Sequence, residues 1–279
     1  MKKGWLRILV FFIPYSIILG LFTFAGSKVA NYNIYDLNLI PTTRQDLILI
    51  IFDFIGTFLV LWFSMKYIDR EKFHELGFQI NNRLIDFIFG LTLGISIISI
   101  SFYILYIIDS IFIISYSIDM TKLFQTTLIF ILVAVIEETI FRGYILRNLL
   151  ISFKKHIALL ISSIFFAFMH GLNPNINNIG FLDLFLAGIL LGISYIYTRN
   201  LWFPIGLHIS WNLTQTLLGF NVSGQDIYSI VEIQIKENNL LNGGDFGFEG
   251  SILSVISQLF FIALIFFYYR KQEKLGLLS

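Results

Sequence analysis

Long apolar runs separated by short polar segments dominate the pattern of this chain. A helix needs about 20 apolar residues to cross the hydrocarbon core of a bilayer. Eight runs approach that length, and we predict spans at 6–24, 47–65, 85–108, 123–146, 157–169, 179–197, 201–220 and 252–269. The fifth run is short for a span unless its helix extends through Asn173 or back to Ser152. The pattern therefore predicts an all-α fold, a polytopic transmembrane bundle of about eight spans.

The distribution of basic residues orients these spans. With the N-terminus inside, only Lys28, Arg44, Lys122 and Lys236 of the 19 Lys and Arg residues fall in outside segments. Basic residues are enriched in cytoplasmic loops, so we predict that the N- and C-termini are cytoplasmic. In a bacterium this places the chain in the plasma membrane as a multi-pass protein. The first run is longer than the roughly 7–15 apolar residues of a secretory signal, which favours a retained helix.

Composition narrows the class of protein further. Hydrophobic residues make up 57% of the chain, against about 45–50% in soluble domains, so the lipid bilayer is an expected partner. The net charge of +1 gives no indication of nucleic-acid binding. The absence of cysteine from the sequence excludes disulfides, thiolate metal ligands and a cysteine nucleophile.

Ionisable residues inside apolar runs are the first candidates for chemistry, because a charge in a transmembrane helix costs several kcal/mol. Glu137 and Glu138 are adjacent, so on a helix they project about 100° apart. Arg142 lies four residues after Glu138, where the two side chains can pair and leave Glu137 facing a cavity. Alternatively, Arg142 binds both carboxylates in a packing network. Asp53 and Asp183 are solitary, and we expect them to be paired or near an interface.

Two further polar groups follow on later runs. His170 ends an apolar run, with Phe166 one helical turn before it, so it is either a site residue or a helix cap. His208 and Asn212 are four residues apart and project from one helix face. Together they can donate hydrogen bonds to one atom, as an oxyanion hole requires. The alternative is ordinary hydrogen bonding between helices.

The combination favours hydrolytic chemistry, since three of the apolar segments supply a base, a polariser and two donors. In this interpretation Glu137 takes a proton from water, and His170 shares that water. His208 and Asn212 then hold the oxyanion of a tetrahedral intermediate. The sequence contains no His-Glu-x-x-His motif and no recognisable spacing of a Ser-His-Asp triad.

Three motifs occur in an order that resembles the CAAX-protease and bacteriocin-processing family of intramembrane endopeptidases, also called the CAAX prenyl protease 2-like or Abi family. They are Glu137-Glu138-x-x-x-Arg142, Phe166-x-x-x-His170 and His208-x-x-x-Asn212. The glycine-rich segment 243–251 is similar to a weaker signature of the bacterial members. The resemblance implies an all-α bundle that holds its site within the membrane.

The resemblance also implies roles for the site residues. The catalytic set is Glu137, His170, His208 and Asn212, and the supporting set is Glu138, Arg142 and Phe166. It divides the chain into N-terminal helices without a recognised motif, 1–122, and a peptidase core with the last span, 123–279, whose motifs lie within 123–251. It does not imply a prenylated substrate, because that activity belongs to eukaryotic and some archaeal relatives.

A metal cofactor is an open alternative. Glu137, His170 and His208 would form a two-His, one-Glu zinc set with an open fourth position. The similar proteins use a glutamate-activated water, and Asn212 favours that view because an amide is a poor zinc ligand. We therefore favour no cofactor and keep zinc as the alternative.

The sequence is compatible with three candidate functions. The preferred one is an intramembrane endopeptidase acting on a small peptide or a membrane-anchored protein, in bacteriocin or pheromone processing or in self-immunity. The second is a non-catalytic membrane scaffold or regulator that binds a membrane-protein partner, suggested by the acidic segment 221–250. The third is a proton-coupled transporter, which the absence of a pseudo-repeat in the sequence disfavours.

Overall fold

The computed structural model describes residues 3–36 and 39–276 of the chain, and these are mostly helical. The predicted cytoplasmic placement of residues 1–2 and 277–279 lies outside the described residues. The α-helices are α1 (Gly4–Val29), α2 (Thr43–Phe63), α3 (Leu84–Ile107), α4 (Met120–Glu138), α5 (Arg147–Ser152), α6 (Lys155–Met169), α7 (Asn178–Ile193), α8 (Tyr195–Thr198), α9 (Trp202–Leu217) and α10 (Ile252–Lys274). Short π-helical segments follow α2 at Ser64–Asp69 and α4 at Thr139–Leu146, and 3-10 turns lie at Phe73–Leu76, Gly244–Phe246 and Phe248–Gly250.

Six helical segments of the described chain are long and apolar enough to cross a membrane, which indicates a multi-pass membrane protein. They are Gly4–Val29, Thr43–Asp69, Leu84–Ile107, Met120–Ser152, Asn178–Thr198 and Ile252–Lys274. The fifth and seventh predicted spans form shorter helices, α6 with 15 residues and α9 with 16. Helices of that length rise roughly 22–24 Å, less than the ~30 Å hydrocarbon core. The count of eight spans therefore stays a prediction for these two segments.

A two-stranded antiparallel sheet departs from the predicted all-α fold. Strand β1 (Ile111–Tyr116) pairs with β2 (Val231–Ile235), with Ile111 opposite Ile235 and an irregularity between Ile113 and Ser115. Both strands are rich in β-branched residues, which pack well on a pleated surface. The all-α prediction did not include this small sheet, because the two strands are far apart in the sequence and neither has a local partner.

Side-chain caps fix where several of the helices around the site begin. Asp119 accepts hydrogen bonds from the backbone N–H groups of Thr121 and Lys122 at the start of α4. Asn177 caps α7 and Ser251 caps α10 in the same way. Each such cap is worth about 1 kcal/mol. The beginnings of α4, α7 and α10 are thus set locally.

Glycines allow α3 and α9 to pack closely. A Cβ added at Gly90 would meet backbone atoms of Phe203 and Leu207, and one at Gly94 would meet the backbone of Trp211. Small residues at a helix interface are the usual means of close packing in membranes. This contact fixes α9, which carries His208 and Asn212, deep in the bundle.

Candidate active site

Glu138 and Arg142 form a fully buried ion pair at the junction of α4 and the π-helical segment. Arg142 Nη1 donates to Glu138 Oε1 at 2.8 Å, with side-chain exposures of 1% and 0%. Arg142 Nη2 donates to the Gly188 carbonyl of α7 at 3.2 Å, and its guanidinium lies 4.6 Å from the centre of the Phe166 ring of α6. The pairing expected from the i, i+4 spacing is confirmed. It joins three helices, and π-helical turns occur frequently at functional sites.

His208 shares the same carboxylate oxygen. Its Nδ1 lies 2.8 Å from Glu138 Oε1. An ionised carboxylate only accepts hydrogen bonds, so Nδ1 carries the proton. In the neutral imidazole, Nε2 is therefore an acceptor. Glu138 thus fixes the tautomer and orientation of His208.

His170 is held by the end of its own helix. Its Nδ1 lies 2.8 Å from the Phe166 carbonyl, one of the oxygens that a helix end leaves unpaired. The imidazole also packs on the Phe166 ring, with 4.5 Å between ring centres. Since a carbonyl only accepts, Nδ1 is again the protonated nitrogen. His170 is a helix cap, as one interpretation predicted, and its Nε2 is left for the site.

Both remaining imidazole nitrogens converge on Glu137. Glu137 Oε2 lies 3.5 Å from His170 Nε2 and 3.9 Å from His208 Nε2. It accepts no hydrogen bond from any described residue, while 23% of the Glu137 side chain stays exposed. With neutral imidazoles and an ionised carboxylate, three acceptors would face one another. This arrangement calls for a proton or a water molecule that donates between them.

These side chains line one cavity of 460 Å³. The cavity contains Glu137, His170, His208 and Asn212, and the rest of its wall is mostly apolar. Asn212 is 7% exposed, and its amide makes no hydrogen bond within the described part of the chain. The structure thus brings all four predicted catalytic residues to one space, and the Asn212 amide is available to a ligand.

The two solitary aspartates lie in different surroundings. Asp53 on α2 accepts a hydrogen bond from Thr23 at 2.6 Å and lines the same cavity. Asp183 on α7 is 1% exposed, and neither of its carboxylate oxygens has a hydrogen-bond partner among the described residues. Asp53 is therefore paired, which is one of the two situations expected. Asp183 is not paired in this way, and its expected position near an interface stays a prediction.

Sequence reasoning missed Glu249 as a cavity residue. It belongs to the glycine-rich segment 243–251, where Gly243 and Gly247 have positive φ values of 79° and 92° that favour glycine. The Ser223 N–H and hydroxyl donate to Glu249 Oε2 at 2.7 and 2.8 Å. Its pKa is raised, because burial outweighs these hydrogen bonds. The signal in the sequence was a glutamate flanked by glycines, in the segment 247–250, directly before an apolar helix.

The three residues of the zinc alternative do lie together, at the separations given for Glu137 and the two imidazoles. Across residues 3–36 and 39–276, no group of three His, Cys, Asp or Glu side chains has the arrangement that would hold a metal ion. The absence of a cofactor and the zinc alternative both stay predictions, and the chelator experiment described below distinguishes them.

The fold and the site together define a multi-pass membrane protein with a buried glutamate–histidine centre. Residues 119–214 match the family model described as type II CAAX prenyl endopeptidase Rce1-like. The matched region contains all three motifs, so the resemblance to the CAAX-protease family is confirmed over this part of the chain. That family is a protease family. No curated protein and no solved structure matches the chain significantly.

Proposed function

We propose that this protein is an intramembrane endopeptidase that hydrolyses a peptide bond with a water molecule activated by Glu137 and His170. The observation that carries the proposal is the convergence of two imidazole Nε2 atoms on one Glu137 oxygen inside a cavity. The match to a protease family supports the reaction class. The substrate is a small peptide or a membrane-anchored protein, since the cavity lies within a membrane bundle.

In the proposed hydrolysis, Glu137 transfers one proton in two steps. Glu137 takes a proton from water as the water oxygen bonds to the substrate carbonyl carbon, and the carbonyl oxygen becomes an oxyanion. The Asn212 amide donates to that oxyanion, and so does His208 Nε2 when the imidazole is protonated. Glu138 holds the other ring nitrogen of His208, Nδ1, at 2.8 Å. The C–N bond then breaks, and Glu137 returns the proton to the leaving nitrogen.

The physiological setting is a further part of the proposal. Processing of a bacteriocin or pheromone, or self-immunity, in the plasma membrane of a bacterium rests on the resemblance of the motifs. The location of the cavity among apolar helices is compatible with substrates that reach it from the lipid bilayer.

The experiment compares purified wild type with Glu137→Gln on a library of peptides and single-span substrates in detergent. Glu232→Gln on β2 is the matched control, because that glutamate is exposed. Removing a general base lowers kcat by about 10²–10⁴-fold, so Glu137→Gln should lose cleavage while its melting profile stays near that of the control. Undiminished cleavage by Glu137→Gln would refute the mechanism.

A chelator arm decides the role of zinc in the same assay. Cleavage unchanged by chelator supports a glutamate-activated water. Cleavage that is lost with chelator and restored by zinc would make Glu137, His170 and His208 metal ligands instead.

A scaffold that binds a membrane-protein partner is the second candidate function. It is favoured by the exposed carboxylates of the segment 221–250, which are Asp226, Glu232, Glu237 and Asp245. If scaffolding is the role, a Glu137→Gln protein should still complement a deletion strain. Failure to complement, with the protein present in the membrane, would favour the peptidase.

A further inference from the structure

Two side chains that line the cavity each have a hydrogen-bond acceptor oxygen without a donor. We call these two residues, Glu249 and Gln258, the acceptor cluster. Glu249 is 6% exposed and lines the cavity. Its Oε2 is occupied by the two bonds from Ser223, whereas Oε1 receives no hydrogen bond from the described residues. One buried carboxylate oxygen is therefore left facing the cavity.

Gln258 of α10 adds a second unpaired acceptor. Its side chain is fully buried and lines the cavity. Its Nε2 donates to Ser254 at 3.4 Å, while its Oε1 has no partner in the described part of the protein. A second buried acceptor of the cavity wall is therefore without a donor.

The surrounding chain does not supply the missing donors. Each Nδ1 of His170 and His208 faces another acceptor, and each Nε2 faces Glu137. No Lys or Arg lines the cavity among the described residues. An unpaired buried acceptor destabilises the protein, and it does so more strongly when it is charged. A ligand that brings both a positive charge and several N–H donors would therefore satisfy the unpaired oxygens of the cluster.

We propose that the acceptor cluster is a binding subsite for a primary ammonium group of the peptide substrate, either a lysine side chain or the amino terminus. An ammonium has three N–H donors, enough to engage Glu249 Oε1 and Gln258 Oε1 together. Glu249 lies within electrostatic range of both His170 and His208, so the ammonium is bound close to the scissile bond. This inference rests on the proposed function for its account of what the substrate is.

The test begins with binding, which does not depend on cleavage. Wild type, Glu249→Gln and Gln258→Met are titrated with n-pentylamine and with n-pentanol, monitored by tryptophan fluorescence because Trp211 lines the cavity. Glu237→Gln is the control, since Glu237 is exposed. We expect half-saturation at a concentration at least tenfold lower for the amine than for the alcohol in wild type and control. Both cluster variants should lose that preference.

Several results would overturn the subsite. Equal half-saturation by amine and alcohol in wild type is one, and an unchanged preference in both cluster variants is another. The same fluorescence change produced by sodium chloride alone would show that a metal cation, not an ammonium, occupies the cluster. Gln258→Met keeps the side-chain volume, so the test stands even where Glu249→Gln does not fold.

A cleavage arm separates the two sources of ammonium. Paired peptides carry lysine or norleucine beside the scissile bond, and each is made with a free or an acetylated amino terminus. A tenfold loss with norleucine identifies the side chain, and a tenfold loss on acetylation identifies the terminus. Equal cleavage rates for all of these peptides would refute the role of the cluster in substrate binding. An intact amine preference with no cleavage of any peptide would count against the proposed peptidase and in favour of the subsite.

Discussion

The buried pair of Glu138 and Arg142 gives the sharpest prediction for stability. Arg142→Met removes the positive charge and leaves the fully buried Glu138 carboxylate with His208 as its remaining partner. Removing one partner of a buried pair costs about 3–5 kcal/mol. In a protein of this size that corresponds to roughly 6–15 °C in the unfolding midpoint. The variant should therefore lose a large part of its thermal stability.

The double variant Glu138→Gln/Arg142→Met is the informative companion. Replacing both partners of a buried pair is often nearly neutral, so the double variant should recover more than half of the lost stability. Activity should not return, because His208 no longer has a carboxylate at Nδ1. The assay is the apparent unfolding midpoint in one detergent at one scan rate, with cleavage measured in parallel.

Arg44→Met provides the control for the loss of an arginine, because Arg44 is exposed near the start of α2. Equal midpoint shifts for Arg142→Met and Arg44→Met would show that the buried pair does not stabilise the bundle. A double variant less stable than Arg142→Met alone would show that Glu138 stabilises the fold independently of Arg142.

Three other substitutions probe the supports of the site. Phe166→Leu removes the ring that contacts both His170 and Arg142. It should lower kcat about tenfold in cleavage kinetics and lower the unfolding midpoint by less than Arg142→Met does. An unchanged kcat would show that the ring does not orient the imidazole. Gly94→Ala should destabilise the protein by about 1–3 kcal/mol, because the added methyl group overpacks against α9. Gly20→Ala is the control and should not destabilise it, since Gly20 has open space around it. Equal unfolding midpoints for the two variants would refute the close packing of α3 and α9. Asn242→Ala removes hydrogen bonds that hold the glycine-rich segment and should speed limited proteolysis there; wild-type proteolysis rates would contradict this role.

Local spacing predicted the parts of the site that one helix determines. The pairing of Glu138 with Arg142 follows from their i, i+4 separation and needs no tertiary information. The packing of Phe166 on His170 follows in the same way. The convergence of Glu137, His170 and His208 was expected from polar residues on three of the apolar segments, and the structure does bring them together.

Contacts between segments that are far apart in the chain could not be predicted from the sequence. The bond from His208 to Glu138 depends on how α9 lies against α4, which the glycines of α3 and α9 determine only in the folded bundle. The entry of Glu249 into the cavity depends on positive φ values at Gly243 and Gly247 and on Ser223 meeting it from another part of the chain. The β1–β2 pairing has the same origin, since neither strand has a local partner.

The shortness of α6 bears on how water reaches a reaction inside a membrane. Ile157, Leu160 and Phe168 are exposed on its outer face, as befits a surface against lipid. A 15-residue helix rises only roughly 22 Å, so the bilayer beside it must thin, or α6 must end below the level of its longer neighbours. In either case His170, at the C-terminal end of α6, lies nearer to water than it would at the end of a helix that spans the full hydrocarbon core. Thicker bilayers should then slow the hydrolysis, because less water, the second substrate of the reaction, would reach the site.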